Sequence, residues 1–394
     1  MRTILTNANV LTPYRRACGA VVVEDNTIVE VCPPASAACL HGGKVVDMMG
    51  YYLAPGFIDL HTHGGGGHDF MDGSLEALLG GCRAHMQHGT TALLPTTLSS
   101  TDAELYENLR YIGEAAQIQD NMPEVLGAHL EGPYFASAQS AAQDPRYIKH
   151  PDPEEYQRIF ERFPLIKIWS AAPELPGALA FGRWMRTNGI IASIGHSDAV
   201  YQEVVDALEN GYTMLTHFFN GMSRLTRRDA KMYLGVAESG LCIDDLTVEI
   251  IADGCHLPPE LLKLIYKVKG PDRVCLVTDS MRAAGQDVKE SILGSLQNGR
   301  RVEIDNGVAY MPDRSSFGGS VATADRLVRV MHQEAGIPIE DAVKMMTVTP
   351  ARVLGLEHRI GSIAPGMRAN LIAFDGNVEI KYVMVKGKVW VDQL

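Results

Sequence analysis

Over the first fifty residues short apolar runs alternate with turn residues, in ILTNANVL, GAVVVEDNTIVEV and GGKVVDMMGYYLAP. Successive side chains of a strand face opposite sides, so period-two alternation punctuated by Asn and Gly predicts β-hairpins. The last stretch repeats the pattern in IGSIAPGMRANLIAFDG and IKYVMVKGKVWVD. Strands at both ends of a long middle predict a small β-sandwich built from residues 1–54 and 359–394, with two separate β modules as the alternative. Between residues 55 and 358 the pattern changes to strand, loop and helix in turn. Strands are predicted at Phe57 to His63, Thr91 to Thr97, Val125 to Glu131, Ile166 to Ala171, Ile190 to His196, Met214 to His217, Val248 to Asp253 and Val274 to Asp279. Between the fifth and sixth, Val200, Val204, Val205 and Leu208 recur at helical spacing, with Asp198 placed to cap the start and Gly211 to close the end. Eight strands alternating with helices predict an α/β fold, a (β/α)8 TIM-like barrel whose strand C-termini converge on one face.

Composition narrows the class. The 394 residues suit one such barrel plus a smaller module, and 46% apolar with 21% charged residues is ordinary for a folded globular chain. No apolar run approaches the roughly 20 residues that span a bilayer, and MRTILTNANV has no signal-peptide core, so a cytoplasmic protein is expected. The seven cysteines show no CxxC spacing, which disfavours both a disulfide framework and a thiolate zinc site. A formal charge of -12 disfavours nucleic acid or an anionic membrane as partner, while leaving room for a small anion held by local cations.

Chemistry concentrates at the predicted strand ends. His61 and His63 project from one side of the FIDLHTH strand, and the Gly64 to Gly67 run that follows lets the backbone turn and a ligand approach. Glu131 ends AHLE, His196 ends SIGH, His217 ends TMLTH and Asp279 ends LVTD. Six polar endings on apolar strands are more than satisfied core histidines would supply. Histidine nitrogens and a carboxylate oxygen suit zinc, iron, manganese or cobalt, with water in the open position and Asp279 as proton acceptor and donor. His129 is expected one layer deeper as a hydrogen-bonded core residue, and His85 and His88 as cations at a helix C-terminus.

These segments resemble the amidohydrolase superfamily and, within it, the branch of N-acetylglucosamine-6-phosphate deacetylases. The resemblance runs over essentially the full length, through PGFIDLHTHG, GTTALLPT, GAHLEGPYF, GHSDA, THFFNGM, ADGCHL, LVTDSMRAAG, FGGS and GSIAPGMRANL. It implies metal-dependent removal of the N-acetyl group from N-acetylglucosamine 6-phosphate, in amino-sugar catabolism, by a homodimer. It also implies that Glu131, His196 and His217 hold the principal metal, that His61 and His63 match a pair used by members with a second ion, and that Asp279 is catalytic. One or two ions per subunit, zinc foremost, are therefore expected. Ala142, Gln143, Asn220 and Gly221 match sugar-facing positions, and Phe317, Gly318 and Gly319 a loop over the acetyl end. Arg228 and His256 match phosphate contacts, the arginine reaching in from the partner subunit.

The residue types agree with these roles, because a planar guanidinium grips phosphate through paired charge-assisted bonds. Blander readings are a solvated Arg228 beside Arg224 and Arg227, a His256 packed on Pro258 and an Asn220 that forms a turn. Departures from the family pattern are Arg228-Asp229-Ala230 where Arg-Glu-Pro is usual, Gly221 for a common alanine, and Gln143 where some members carry a carbonyl-polarising histidine. These touch substrate choice more than reaction type. The alternatives are deacetylation of a related acetamido sugar such as N-acetylgalactosamine 6-phosphate, hydrolysis of an N-acyl amino acid or cyclic amide, and a non-catalytic binding or assembly protein.

Overall fold

In the computed structural model, residues 1–33, 42–118 and 120–394 are described, with Arg228 described by its backbone alone; Cys39 therefore lies outside the described residues. The eight parallel strands of the barrel are Phe57–Thr62, Thr90–Thr97, Ala128–Glu131, Ile166–Ala171, Ile191–Ile194, Tyr212–Leu215, Thr247–Ile250 and Val274–Leu276, each paired with the next in chain order. The first two are buried along their whole length, as parallel strands covered on both faces must be. The ring closes between the last strand and the first. Asp279 N donates to His61 O at 2.8 Å, and the buried Asp59 carboxylate accepts from Thr278 N at 3.2 Å and Thr278 Oγ1 at 2.5 Å.

The predicted third strand is split. Glu124–Val125 pairs with the second strand, the ladder breaks at Gly127, and Ala128–Glu131 resumes it. Gly127 has φ +147°, and a Cβ there would meet Leu165 O at 2.4 Å, so only glycine lets the chain pass. The helix after the fifth strand runs Tyr201–Glu209, later than expected. Asp198 does not cap it. Its Oδ1 accepts from Gln139 Nε2 at 2.9 Å, while Glu203 Oε2 accepts from Val200 N at 2.8 Å and so satisfies the helix start. His85 also departs from expectation: it is buried in the helix Leu75–Gln87, with Nε2 2.8 Å from Gly64 O. Burial pushes its pKa down to about 4, so it is a neutral strut and not a cation.

Both ends of the chain share one sheet, ordered Lys388–Asp392, Ile380–Val385, Leu371–Phe374, Tyr52–Pro55, Arg2–Leu11, Arg16–Glu24 and Thr27–Cys32, with Lys44–Asp47 also on Arg2–Leu11. The sheet folds over a core of its own that includes Leu5, Val21, Leu53, Leu371 and Tyr382, and a Thr27 to Arg368 bridge ties the edge strand Thr27–Cys32 to the segment leading into Leu371–Phe374. A four-stranded antiparallel sheet after the last barrel strand (Glu290–Leu293, Arg300–Asp305, Val308–Tyr310, Phe317–Ser320) was not anticipated. It is bound to the barrel rim by Ser320 N to Asp279 O at 2.8 Å and Met281 N to Ser320 O at 2.9 Å. FGGS is therefore a strand and not the expected free loop.

Candidate active site

At the C-terminal mouth of the barrel, Glu131 Oε1 lies 2.9 Å from His196 Nε2 and 2.9 Å from His217 Nε2, and the two nitrogens are 3.1 Å apart. His196 Nδ1 is 2.8 Å from Gln139 O and His217 Nδ1 3.1 Å from Asn220 O. Each ring must donate there, which leaves both Nε2 atoms as bare lone pairs facing each other and a carboxylate oxygen. Three acceptors without a hydrogen between them fit a cation. A tetrahedral ion with bonds of about 2.1 Å holds its ligand atoms roughly 3.4 Å apart, close to these spacings.

A second cluster adjoins the first. His61 Nε2 and His63 Nε2 are 3.2 Å apart, at 3.4 and 3.1 Å from Asp279 Oδ1, and Glu131 Oε2 approaches them at 3.8 and 3.4 Å. Glu131 thus turns one oxygen to each cluster. Both sets, Glu131/His196/His217 and His61/His63/Asp279, have the donor spacing of a metal site. His196, His217 and Asp279 carry positive φ angles of 47°, 30° and 46° just beyond their strands, a left-handed backbone that turns each side chain into the mouth.

Glu249, which the sequence reading passed over, sits beneath this centre. Its Oε2 is 3.1 Å from His61 Nδ1 and accepts from His217 N at 3.3 Å, so one buried carboxylate orients a ligand from each cluster. Burial alone would raise its pKa, but His61 more than reverses that and holds the carboxyl below its ordinary range. His129 takes the expected deeper place, with Nδ1 3.1 Å from Leu60 O and Nε2 2.7 Å from Ser170 Oγ, and it packs edge-on to His61.

A cleft of about 400 Å³ opens above the two clusters. Ala142, Gln143, Asn220, Gly221, His256, Phe317 and Gly319 line it together with the metal-site residues, whereas Gly318 packs against Val302 outside its wall. Arg224 and Arg314 also line it, and neither was singled out from the sequence. The Arg228 side chain lies outside the described residues; its backbone ends the strand Thr226–Arg228 of a hairpin. Gly221 has φ +55°, and a Cβ there would stand 2.9 Å from His196 Nδ1, so the glycine leaves room for the ring. Gln143 is buried and fully engaged: Nε2 donates to Glu131 Oε2 at 2.7 Å, and Oε1 accepts from Ser99 N at 2.9 Å. It thereby braces Glu131, the carboxylate shared by the two clusters. Gln143→Leu should weaken ion binding about 10- to 100-fold with the fold intact, as read by metal titration of the stripped protein.

The family model for the amidohydrolase family matches residues 52–390. The chain belongs to the amidohydrolase family. A relative from Vibrio furnissii, an N-acetylglucosamine-6-phosphate deacetylase, is 34% identical over 342 residues, covering 86% of this chain and 83% of that protein. The N-acetylgalactosamine-6-phosphate deacetylase of Escherichia coli O157:H7 is 30% identical over 339 residues, 86% of this chain and 87% of that one. Among solved structures, the N-acetylglucosamine-6-phosphate deacetylase of Pasteurella multocida superposes with a TM-score of 0.92 at 30% identity, covering all of both chains.

Enzymes of this superfamily depend on divalent metal ions, and the two clusters here are candidate positions for them. In the metal-free protein burial alone would depress His61, but Asp279, the hydrogen bond to Glu249, and Glu131 outweigh it and push its pKa up to about 10. Charged His61 then contributes stability that is fully present below its ordinary value of 6.5 and is lost as pH rises through about 10. Filling the His61/His63 cluster must expel that proton, so its occupancy should increase with pH. Metal-to-protein ratios after dialysis at about pH 6.5 and pH 9 check this, and a pH-independent ratio contradicts it.

Proposed function

We propose that this chain is an N-acetylglucosamine-6-phosphate deacetylase, hydrolysing the N-acetyl amide to acetate and glucosamine 6-phosphate in amino-sugar catabolism. The observation that carries the reading is the meeting of Glu131, His196 and His217 on one point, with Asp279 beside them at the floor of a cleft large enough for a sugar phosphate. A divalent ion, zinc by this nitrogen and carboxylate set, with iron, manganese or cobalt as alternatives, would polarise the amide carbonyl and acidify the attacking water.

The chain's own groups do the rest. Burial alone would raise the Asp279 pKa, but His61 and His63 more than reverse it, so the carboxylate is ionised at neutral pH and ready to take the water's proton. It then returns that proton to the departing amine. His256 donates Nδ1 to Asp253 Oδ2 at 2.8 Å and packs on Phe317, which leaves Nε2 as its remaining polar atom for a substrate phosphate. Phe317 and Gly319 wall the cleft beside Asp279, and Ala142, Asn220 and Gly221 wall it beside His196 and His217.

The hairpin that carries Arg228 exposes Leu225, Met232 and Tyr233 next to the cleft, which supports a homodimer in which the arginine crosses to the partner's substrate. In this reading residues 1–54 and 359–394 form the sandwich and 55–358 the catalytic unit of a cytoplasmic enzyme. Metal analysis with acetate release across phosphorylated and bare acetamido sugars tests the whole. No release from any phosphorylated sugar overturns it. The Escherichia coli relative keeps the galacto isomer as a second reading, decided by the same panel. Arg228→Ala should lower kcat/KM on the phosphorylated substrate by about 10- to 100-fold and leave the bare sugar nearly unchanged. Equal losses on both would remove Arg228 from phosphate recognition.

A further inference from the structure

At the opposite end of the barrel, among the strand N-termini, lies a second cavity of about 330 Å³ lined by Lys167, Arg359, Arg368 and Lys386 around Glu124. Its remaining wall is apolar, from Ile118, Val125, Leu126, Leu354 and Leu356 among others. Four cations against one carboxylate leave an excess of three positive charges in a chain whose net charge is -12.

Glu124 accounts for only part of that charge. It is buried, its Oε1 accepts from Asn370 Nδ2 at 2.7 Å, and its Oε2 accepts from Arg368 Nη1. That pairing ties the terminal sheet to the barrel and needs no further cation. Arg359 Nη2 and Lys386 Nζ share the same oxygen as ion-pair partners at 3.8 and 3.6 Å, so three cations converge on one carboxylate, and Lys167 has no ion-pair partner among the described residues. Mutual repulsion of like charges that a fold could have dispersed costs stability unless an anion relieves it. Burial and the neighbouring guanidinium groups of Arg368 and Arg359 lower the Lys386 pKa, as that crowding requires.

We propose that this cavity is a second binding site, remote from the reaction centre, for a phosphate dianion, free or esterified to a small organic body. Guanidinium groups bind phosphate oxygens in pairs, and the ammonium groups add point charge. The apolar wall would take the organic part. The proposal does not rest on the deacetylase reading, because its readout is binding.

Equilibrium dialysis of the metal-loaded protein against labelled inorganic phosphate, at fixed ionic strength, tests it. The double variant Lys167→Met, Arg359→Met should lose one class of sites, or show it at least about tenfold weaker, with circular dichroism unchanged. The charge-preserving Lys167→Arg, Arg359→Lys should restore it. Displacement of the label by glucosamine 6-phosphate in this class more strongly than by unlabelled phosphate identifies the ester as the ligand, and the reverse identifies the free ion. Isotherms of wild type and double variant that superimpose overturn the proposal, whatever happens at the active site.

Discussion

Asp279→Asn is expected to lower turnover by about 10²- to 10⁴-fold while the ion held by Glu131, His196 and His217 stays bound. That range equals roughly 3 to 6 kcal/mol of barrel-mouth chemistry at about 1.4 kcal/mol per decade. The substitution is nearly isosteric and keeps the backbone bond from Asp279 N to His61 O, so closure of the barrel is preserved. What it removes is the anionic oxygen 3.1 Å from His63 and 3.4 Å from His61. Because that oxygen belongs to the His61/His63 cluster, any second ion should be lost as the first remains. Full turnover in the variant would remove Asp279 from proton transfer, and reduced turnover with the ion at Glu131, His196 and His217 retained would support it.

Glu131→Gln should have the larger effect on composition. One Glu131 oxygen faces His196 and His217 and the other faces His61, His63 and Gln143, so a neutral amide weakens both clusters at once. Its NH2 group would either donate to the histidine lone pairs that the ion needs or face the Gln143 NH2 group, a donor against a donor. The purified variant should contain little metal after dialysis, with activity falling in proportion, by at least about 10²-fold. An ion retained at full occupancy would show that the ligands had been wrongly assigned. A metal-stripped wild type regaining rate on addition of zinc provides the matching control.

Much of the candidate site was legible before any coordinates because each of the polar residues that meet in the mouth ends an apolar run, and a polar residue at a barrel strand's C-terminus has little structural reason to be there. The same logic hid Glu249 and Asp59. Each lies inside an apolar strand, in TVEI and FIDL, where alternation reads it as an outward polar position. The available signal was a lone acid within a strand that otherwise reads as buried on both faces. Gln143 gave no such sign, since its role depends on a loop folding back to reach Glu131. The sheet at Glu290–Ser320 went unseen because its short strands, in a stretch after the eighth barrel strand, owe their position to the rim contact with Asp279. Asp198 had the chemistry of a cap but was drawn to Gln139, and a side-chain acceptor three residues into the helix took over.

His196, His217 and Asp279 all occupy left-handed backbone, where a β-carbon is unwelcome and each residue costs of order 1 kcal/mol or more. Glycine at any of them would relax the backbone there and at the same time remove one of the side chains that meet in the mouth. Backbone strain in this molecule is thus gathered at the same three positions that, on the proposed reading, would carry the reaction.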